Sequence, residues 1–280
     1  MTHRSPYLRP LQRLLTVRPR TAPGRRRLSA LVLALVPLQV LAPAAAPAAA
    51  LAPALLPGSA PFLGAPRVGA VFATVNGRPN GHFCTASVVD SPGHDLLVTA
   101  AHCVVVPGSG RARNGLVFVP GYRSGLQPYG RWRVQAVVVD YRWAQHGDPD
   151  YDVAFLKTAP VTGARRVQDA VGAEAIAFNA PHRVGAVAVG YPDRADAPVR
   201  CRSSLRQFGG NQSEFDCPGL PNGTSGGPLL AGGDPAGAGR GTVVGVIGGY
   251  QQGGLTPDVS YTPYFGAGIA GVYRRALALG

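Results

Sequence analysis

A histidine, an acid and a serine occur along this chain in an order that could cleave an acyl bond. His102 ends an apolar segment, Asp152 begins another, and Ser225 lies in a glycine-rich stretch. In such a set the imidazole removes the serine proton, the carboxylate fixes the imidazole tautomer, and the serine oxygen attacks a carbonyl carbon. The N–H groups of Gly223 and Ser225 could then bind the developing oxyanion. These four residues are the candidate catalytic site.

The acid has competitors, because other aspartates lie close to it in the sequence. Asp150 is two residues away from Asp152, and Asp148 and Asp140 are also near. Asp152 is favoured because it stands directly before a strand whose apolar sequence predicts burial. A carboxylate at that position can be desolvated and still hydrogen-bonded. Asp150 remains the main competitor.

Chain order excludes two other kinds of serine hydrolase. The Gly-x-Ser-x-Gly pattern around Ser225 also matches the α/β-hydrolase turn, but that fold places its histidine after the serine, and the last histidine here is His182. A subtilisin order needs an acid before the histidine and a helix after the serine. Only Asp90 and Asp95 precede His102, and glycines and a proline follow the serine. No His-Glu-x-x-His motif of a metallopeptidase occurs.

The net charge of +13 does not indicate a nucleic-acid-binding protein. Residues 1–27 hold eight arginines and no acid, whereas the rest of the chain has 19 basic and 14 acidic residues. No basic run with interleaved aromatic residues follows, of the kind that binds a phosphate backbone. We therefore expect no nucleic-acid partner.

The first 50 residues have the composition of a secretory signal peptide. Three arginines, Arg25 to Arg27, precede an apolar run from Leu28 to Ala42, and small residues follow to Ala50. The run is shorter than the roughly 20 residues that a membrane-spanning helix needs. We expect residues 1–50 to be the signal peptide, residues 51–67 to be a lead-in or short pro-segment, and the protein to be secreted without a stable membrane anchor.

The four cysteines suit an oxidising compartment. They are Cys84, Cys103, Cys201 and Cys217, and four cysteines permit three pairings. The pairing in chain order, Cys84–Cys103 and Cys201–Cys217, closes two short loops, each of which would stabilise the fold by about 3 kcal/mol. No Cys-x-x-Cys pair suggests a zinc ribbon. The sequence implies no metal or organic cofactor.

Short β-type runs separated by turn residues predict an all-β domain from Val68 onward. No helical periodicity separates these runs, so a βαβ pattern is excluded, and the one helix candidate is Ile269 to Leu279. The clearest predicted strands are Val68–Val75, Leu96–Ala100, Leu116–Val119, Arg133–Val139, Val153–Leu156, Val184–Gly190 and Thr242–Ile247.

The motifs around the three candidate residues resemble those of the chymotrypsin-fold, or trypsin-like, serine peptidases. They are Ala-Ala-His-Cys at 100–103, Asp-Val-Ala at 152–154 and Gly-x-Ser-Gly-Gly-Pro at 223–228. The segments Cys84 to Val89 and Gly190 to Pro192 are more similar to the secreted bacterial, glutamyl-endopeptidase-like branch. The resemblance covers about residues 68–275.

This resemblance implies two packed six-stranded antiparallel β-barrels, about 68–160 and 161–268, within a peptidase domain of residues 68–280. A C-terminal helix at about 269–279 would cap the second barrel. The histidine and the acid would come from the first barrel and the serine from the second. The implied function is that of a secreted, monomeric serine endopeptidase acting on proteins or peptides. The alternative is a catalytically weak or inactive binding or adhesion protein on the same fold.

Two departures from the family pattern bear on activation and specificity. Thr224 occupies the position of the aspartate that, in animal trypsins, pairs with a newly cut N-terminus, although a cut after Arg67 could still expose Val68. Gly219 stands where trypsins carry the aspartate of their specificity pocket. The stretch Val246–Tyr250 lacks the histidine of glutamyl endopeptidases. The sequence thus predicts neither a basic nor an acidic preference.

Overall fold

The computed structural model describes residues 58–233 and 239–279. The predicted signal peptide, residues 1–50, lies outside the described residues. Within the described ranges, no helix is both long enough and apolar enough to span a membrane.

Strands dominate the described structure, as the sequence predicts. The strands are β1 (Ala60–Pro61), β2 (Val68–Val75), β3 (Arg78–Val88), β4 (Leu96–Thr99), β5 (Leu116–Pro120), β6 (Trp132–Val139), β7 (Ala154–Pro160), β8 (Ala175–Ile176), β9 (Val184–Gly190), β10 (Val199–Phe208), β11 (Gln212–Asp216), β12 (Pro228–Ala231), β13 (Thr242–Val246) and β14 (Val259–Pro263). The helices are α1 (Tyr141–His146), α2 (Val167–Val171) and α3 (Ala267–Ala278).

Strands β2 to β7 form a closed antiparallel barrel in the order β2-β3-β4-β7-β6-β5. Its interior is packed with apolar side chains from alternate strand positions, among them Val71, Leu97, Phe118 and Leu156. The alternation arises because successive side chains of a strand point to opposite faces. The first predicted barrel is thus confirmed.

The remaining strands form a second curved sheet in the order β14-β11-β10-β9-β12-β13-β8, with β1 paired to β10. The sheet curls until β13 approaches β14, where the Val246 N–H donates to the Thr262 hydroxyl at 3.0 Å. The fold is chymotrypsin-like, as expected, but this sheet has two strands more than the predicted six. The additions are the two-residue strands β1 and β8, and β8 pairs with β13 in parallel.

Helix α3 lies elsewhere than the resemblance implies. The resemblance implies a helix that caps the second barrel, but α3 packs against β6 and β7 of the first barrel, where the Tyr273 ring lies 5.3 Å from the Phe155 ring. Its buried face, which includes Ile269 and Val272, joins the apolar layer between the two barrels. An amphipathic helix packs where it can bury its apolar stripe, and here that surface is formed by β6 and β7 together with the apolar layer between the barrels.

The segment before Val68 is part of the packed structure, although the sequence assigned it to a lead-in. Strand β1 pairs with β10, and the Ser59 N–H donates to the carbonyl of Pro218 at 2.7 Å. The side chain of Arg67 forms an ion pair with Glu174, whose side chain is only 1% exposed. Residues 58–67 therefore attach to the second sheet before the chain enters the first barrel.

Candidate active site

The histidine and the acid meet because their strands are neighbours. In the pairing of β4 with β7, Thr99 lies opposite Ala154. His102 follows Thr99 by three residues, in a short 3-10 turn, and Asp152 precedes Ala154 by two. Both side chains are therefore delivered at the same end of the first barrel.

The Asp152 carboxylate has no solvent exposure and is surrounded by hydrogen-bond donors. One oxygen accepts the backbone N–H of His102 at 2.8 Å, and the other is 2.7 Å from His102 Nδ1. The Gly249 N–H, from the second barrel, donates to that second oxygen at 2.9 Å. A buried carboxylate is tolerated only when such donors replace its hydration.

This geometry fixes the tautomer of the imidazole. Because Asp152 is an acceptor, the neutral His102 ring carries its proton on Nδ1, which leaves Nε2 as a proton acceptor. The His102 side chain is 11% exposed and lines a cleft of about 570 Å³, which Ser225 also lines. The histidine and the serine thus face the same space.

Ser225 lies in a turn between β11 and β12 that is anchored to both barrels. Its carbonyl accepts the Thr85 N–H of the first barrel at 2.8 Å, and the next N–H, of Gly226, donates to Ile247 of the second at 2.7 Å. Gly226 has a φ of +77°, and a methyl group there would overlap the Thr99 hydroxyl and the Thr85 carbonyl. Glycine is therefore required next to the serine.

The N–H groups of Gly223 and Ser225 point away from the protein groups that bind the preceding carbonyls, and both are available to a ligand. The Asn222 carbonyl accepts the Asp193 N–H at 2.9 Å, and the Thr224 carbonyl accepts the Gly227 N–H at 2.9 Å. In a trans peptide the N–H points opposite to the preceding carbonyl. Within the described part of the chain, neither N–H donates to a protein acceptor, and both residues line the cleft.

Both disulfides follow the chain-order pairing. Cys84 is bonded to Cys103, which ties β3 to the turn that carries His102, and Cys201 is bonded to Cys217. Among the described residues, the one cluster with metal-ligand atoms is Cys84, His102 and Cys103. Because its two sulfur atoms are bonded to each other, this cluster offers no thiolate to a metal.

The competing acids are engaged elsewhere. Asp150 accepts side-chain hydrogen bonds from the second barrel, and Asp148 caps the turn before it. Asp140 caps α1. Although burial opposes its ionisation, hydrogen bonds and the charge of Arg142 hold the pKa of Asp140 below its usual value. The structure therefore brings Asp152, and not one of these three, to His102.

Sequence reasoning missed the residues that form the far wall of the cleft. Gln251, Gln252, Gly254 and Leu255 line it, and they belong to no predicted strand. A smaller cavity of about 230 Å³ lies beside Ser225, and it shares Gln252, Gly254 and Leu255 with this wall. Only the nearby glycines signalled a turn here, and a turn signal does not say what the turn faces.

The two positions singled out for activation and specificity both make hydrogen bonds within the protein. Thr224 is 1% exposed, and its hydroxyl donates to the carbonyl of Pro221 at 2.7 Å. The Gly219 carbonyl accepts the Ser59 hydroxyl at 2.6 Å. The cavity beside Ser225 is lined by Leu220 instead of Gly219.

Comparison with known proteins agrees with this architecture. A family model described as a trypsin-like peptidase domain matches residues 84–246. The chain is 27% identical to the protease Anisep from Arthrobacter nicotinovorans, with a TM-score of 0.67, and the match covers 79% of this chain and 99% of that one. It is 32% identical to the thermostable serine protease AL20 from an extremophilic microorganism, with a TM-score of 0.64 and coverage of 77% and 99%.

A Glu endopeptidase shares the fold at 17% identity, with a TM-score of 0.60 and coverage of 79% and 97%. No curated protein matches the chain significantly.

The crowding at Gly226 gives a direct test of the serine turn. We expect Gly226→Ala to lower the free energy of unfolding by about 3 kcal/mol. The new methyl group would overlap the Thr99 hydroxyl and the Thr85 carbonyl oxygen, so the turn would have to shift away from both. Urea denaturation measures this change. Gly210→Ala is the matched control, because nothing lies within 4 Å of the added methyl group. An equal effect of the two changes would contradict the conclusion that close packing requires glycine at position 226.

Proposed function

Because the chain belongs to the trypsin-like peptidase family, we propose that it is a secreted serine endopeptidase with His102, Asp152 and Ser225 as its catalytic triad. The observation that carries the proposal is the buried Asp152 carboxylate, which lies 2.7 Å from Nδ1 of His102, a residue that lines the same cleft as Ser225. This arrangement directs Nε2 of the histidine towards the space where a substrate would bind.

The proposed reaction is acyl transfer. His102 Nε2 takes the proton of Ser225 as the serine oxygen attacks the scissile carbonyl, and Asp152 stabilises the resulting imidazolium. The N–H groups of Gly223 and Ser225 bind the oxyanion. His102 then protonates the departing amine, which leaves an acyl-enzyme. A water molecule, deprotonated by the same histidine, hydrolyses that ester.

Secretion is supported by the two disulfides, since such bonds persist in oxidising compartments. The proposed signal peptide, residues 1–50, is the means of export. We propose a monomer whose partners are protein or peptide substrates. The alternative, a binding or adhesion protein without useful catalysis, is disfavoured because every group of the proposed mechanism is present.

Covalent labelling tests the nucleophile and also separates the two functions. We expect the wild-type protein to react with a fluorophosphonate probe and Ser225→Ala to show no labelling, because the serine oxygen forms the bond to phosphorus. Gel fluorescence or intact mass measures the adduct. A wild-type protein that neither labels nor cleaves any peptide would favour the binding function.

The identity of the acid is tested by two matched changes. Asp152→Asn should lower kcat by about 10⁴-fold, because the amide would favour the wrong imidazole tautomer. Asp150→Asn should leave kcat within about threefold of the wild type, since Asp150 does not contact the histidine. Steady-state cleavage of a peptide substrate measures both. The reverse ranking would show that Asp150 is the orienting acid.

The cavity beside Ser225 predicts the preferred residue before the cut. Its described lining, which includes Leu220, Ile247 and Thr256, contains no ionisable side chain. A substrate charge placed there would lose hydration without gaining a partner, so we expect uncharged side chains to be preferred about tenfold over Lys, Arg, Asp and Glu.

Cleavage of a peptide library measures this preference. Thr256→Asp, at the exposed rim of the cavity, should raise the cleavage of Lys and Arg substrates relative to the wild type. A wild-type preference for a charged residue would contradict the assignment of this cavity.

A further inference from the structure

Asp150 links the first barrel to the second in a way that the proposed mechanism does not use. One carboxylate oxygen accepts a hydrogen bond from Nδ2 of Asn211 at 2.9 Å, and the other accepts one from Nε2 of Gln212 at 2.8 Å. Asp150 lies in the turn that also ends at Asp152. One short turn therefore carries two acids with different partners: Asp152 binds His102, and Asp150 binds side chains of the second barrel.

Gln212 continues this link to the wall of the cleft. Its side chain is buried, the residue being 6% exposed, and its Oε1 accepts the Tyr250 N–H at 3.2 Å. Gly249, directly before Tyr250, has a φ of +81°, and a methyl group there would overlap the same oxygen. Gln212 is thus packed closely against the backbone where the wall begins.

The wall has a backbone that its own sequence does not favour. Gln251 and Gln252 are both left-handed, with φ of +51° and +56°, and both line the cleft. Consecutive non-glycine residues in this region are strained, and they persist only where the surrounding contacts determine them. The contacts that hold this segment include the bond from the Gln252 N–H to the Gly249 carbonyl, at 2.8 Å, and the link through Gln212. The Gly249 N–H also donates to Asp152, and the Tyr250 ring packs against the rings of Phe208 and Tyr261.

We propose that Asp150 and Gln212 are positioning residues that fix the backbone at Gly249 and Tyr250, where the wall begins, and so hold the wall in the conformation that binds a peptide substrate beside Ser225. The inference rests on the proposed peptidase function. Neither side chain contacts the reacting atoms in the proposed mechanism, so their loss should weaken substrate binding more than it slows bond cleavage. In kinetic terms, KM should rise while kcat changes little.

A reciprocal exchange tests the pair. Gln212→Glu places a carboxylate against that of Asp150, so we expect KM for a peptide substrate to rise about tenfold with kcat within about threefold of the wild type. In the double variant Asp150→Asn/Gln212→Glu, the new amide can donate to the new carboxylate, whose second oxygen still accepts the Tyr250 N–H. We expect KM to return to within about threefold of the wild-type value.

Glu214→Gln is the matched control on the same strand. Glu214 pairs with Arg206 at 2.5 Å on the exposed face, and this change should leave KM and kcat at their wild-type values. All rates are normalised to the active fraction, titrated with a fluorophosphonate, so that a loss of folded protein does not register as a loss of turnover. Should Gln212→Glu fail to fold, Asp150→Ala, which removes the bridge without repulsion, should still raise KM about threefold.

Three results would overturn the proposal while leaving the peptidase function intact. They are an unchanged KM in Gln212→Glu, no recovery in the double variant, and a loss confined to kcat. Failure of the peptidase function is distinguishable, because then the wild-type protein itself would neither label with the probe nor cleave the substrate.

Discussion

The buried carboxylate of Asp152 is the constraint on which the candidate active site depends. A charge without solvent exposure needs donors in place of water, and the protein supplies them from both barrels: His102 from the first and Gly249 from the second. Moving the barrels apart would remove one of these donors. The relative position of the two barrels and the orientation of the imidazole are therefore set by the same interaction.

The serine turn imposes a second constraint at the same boundary. Ser225 belongs to the second barrel in sequence, yet its carbonyl is bonded to the Thr85 N–H of the first. Gly226 lies against Thr99 with no room for a side chain. Because Thr99 is also the last residue of β4, three residues before His102, the strand that delivers the histidine also fixes the distance at which the serine turn can pack.

The ends of the described chain strengthen this arrangement from outside the strands. Residues before Val68 bind to the second sheet through β1 and then enter the first barrel, and α3 follows the second sheet but packs on β6 and β7 of the first. The described part of the chain thus crosses the barrel boundary near both of its ends. These crossings bury apolar surface that either barrel alone would leave exposed to water, which is the dominant favourable contribution to folding.

The sequence by itself determined most of the strands and the residues of the candidate site. The sequence predicts strands at Val68–Val75 and Val184–Gly190 with the bounds that β2 and β9 have, because short β-type runs between turn residues suffice to define a strand. The motifs around His102, Asp152 and Ser225 identified the candidate site because each places its residue at a strand end or a tight turn. The membership of the family follows from the same motifs.

Only the tertiary structure decided which partner each of these residues meets. Asp150 and Asp152 are the same residue type in one short turn, yet one reaches Gln212 and the other His102, because the turn points their side chains in different directions. The packing of α3 and the wall at Gln251 likewise depend on contacts between residues far apart in the chain. Local patterns determine local conformation, whereas long-range packing determines what faces the cleft.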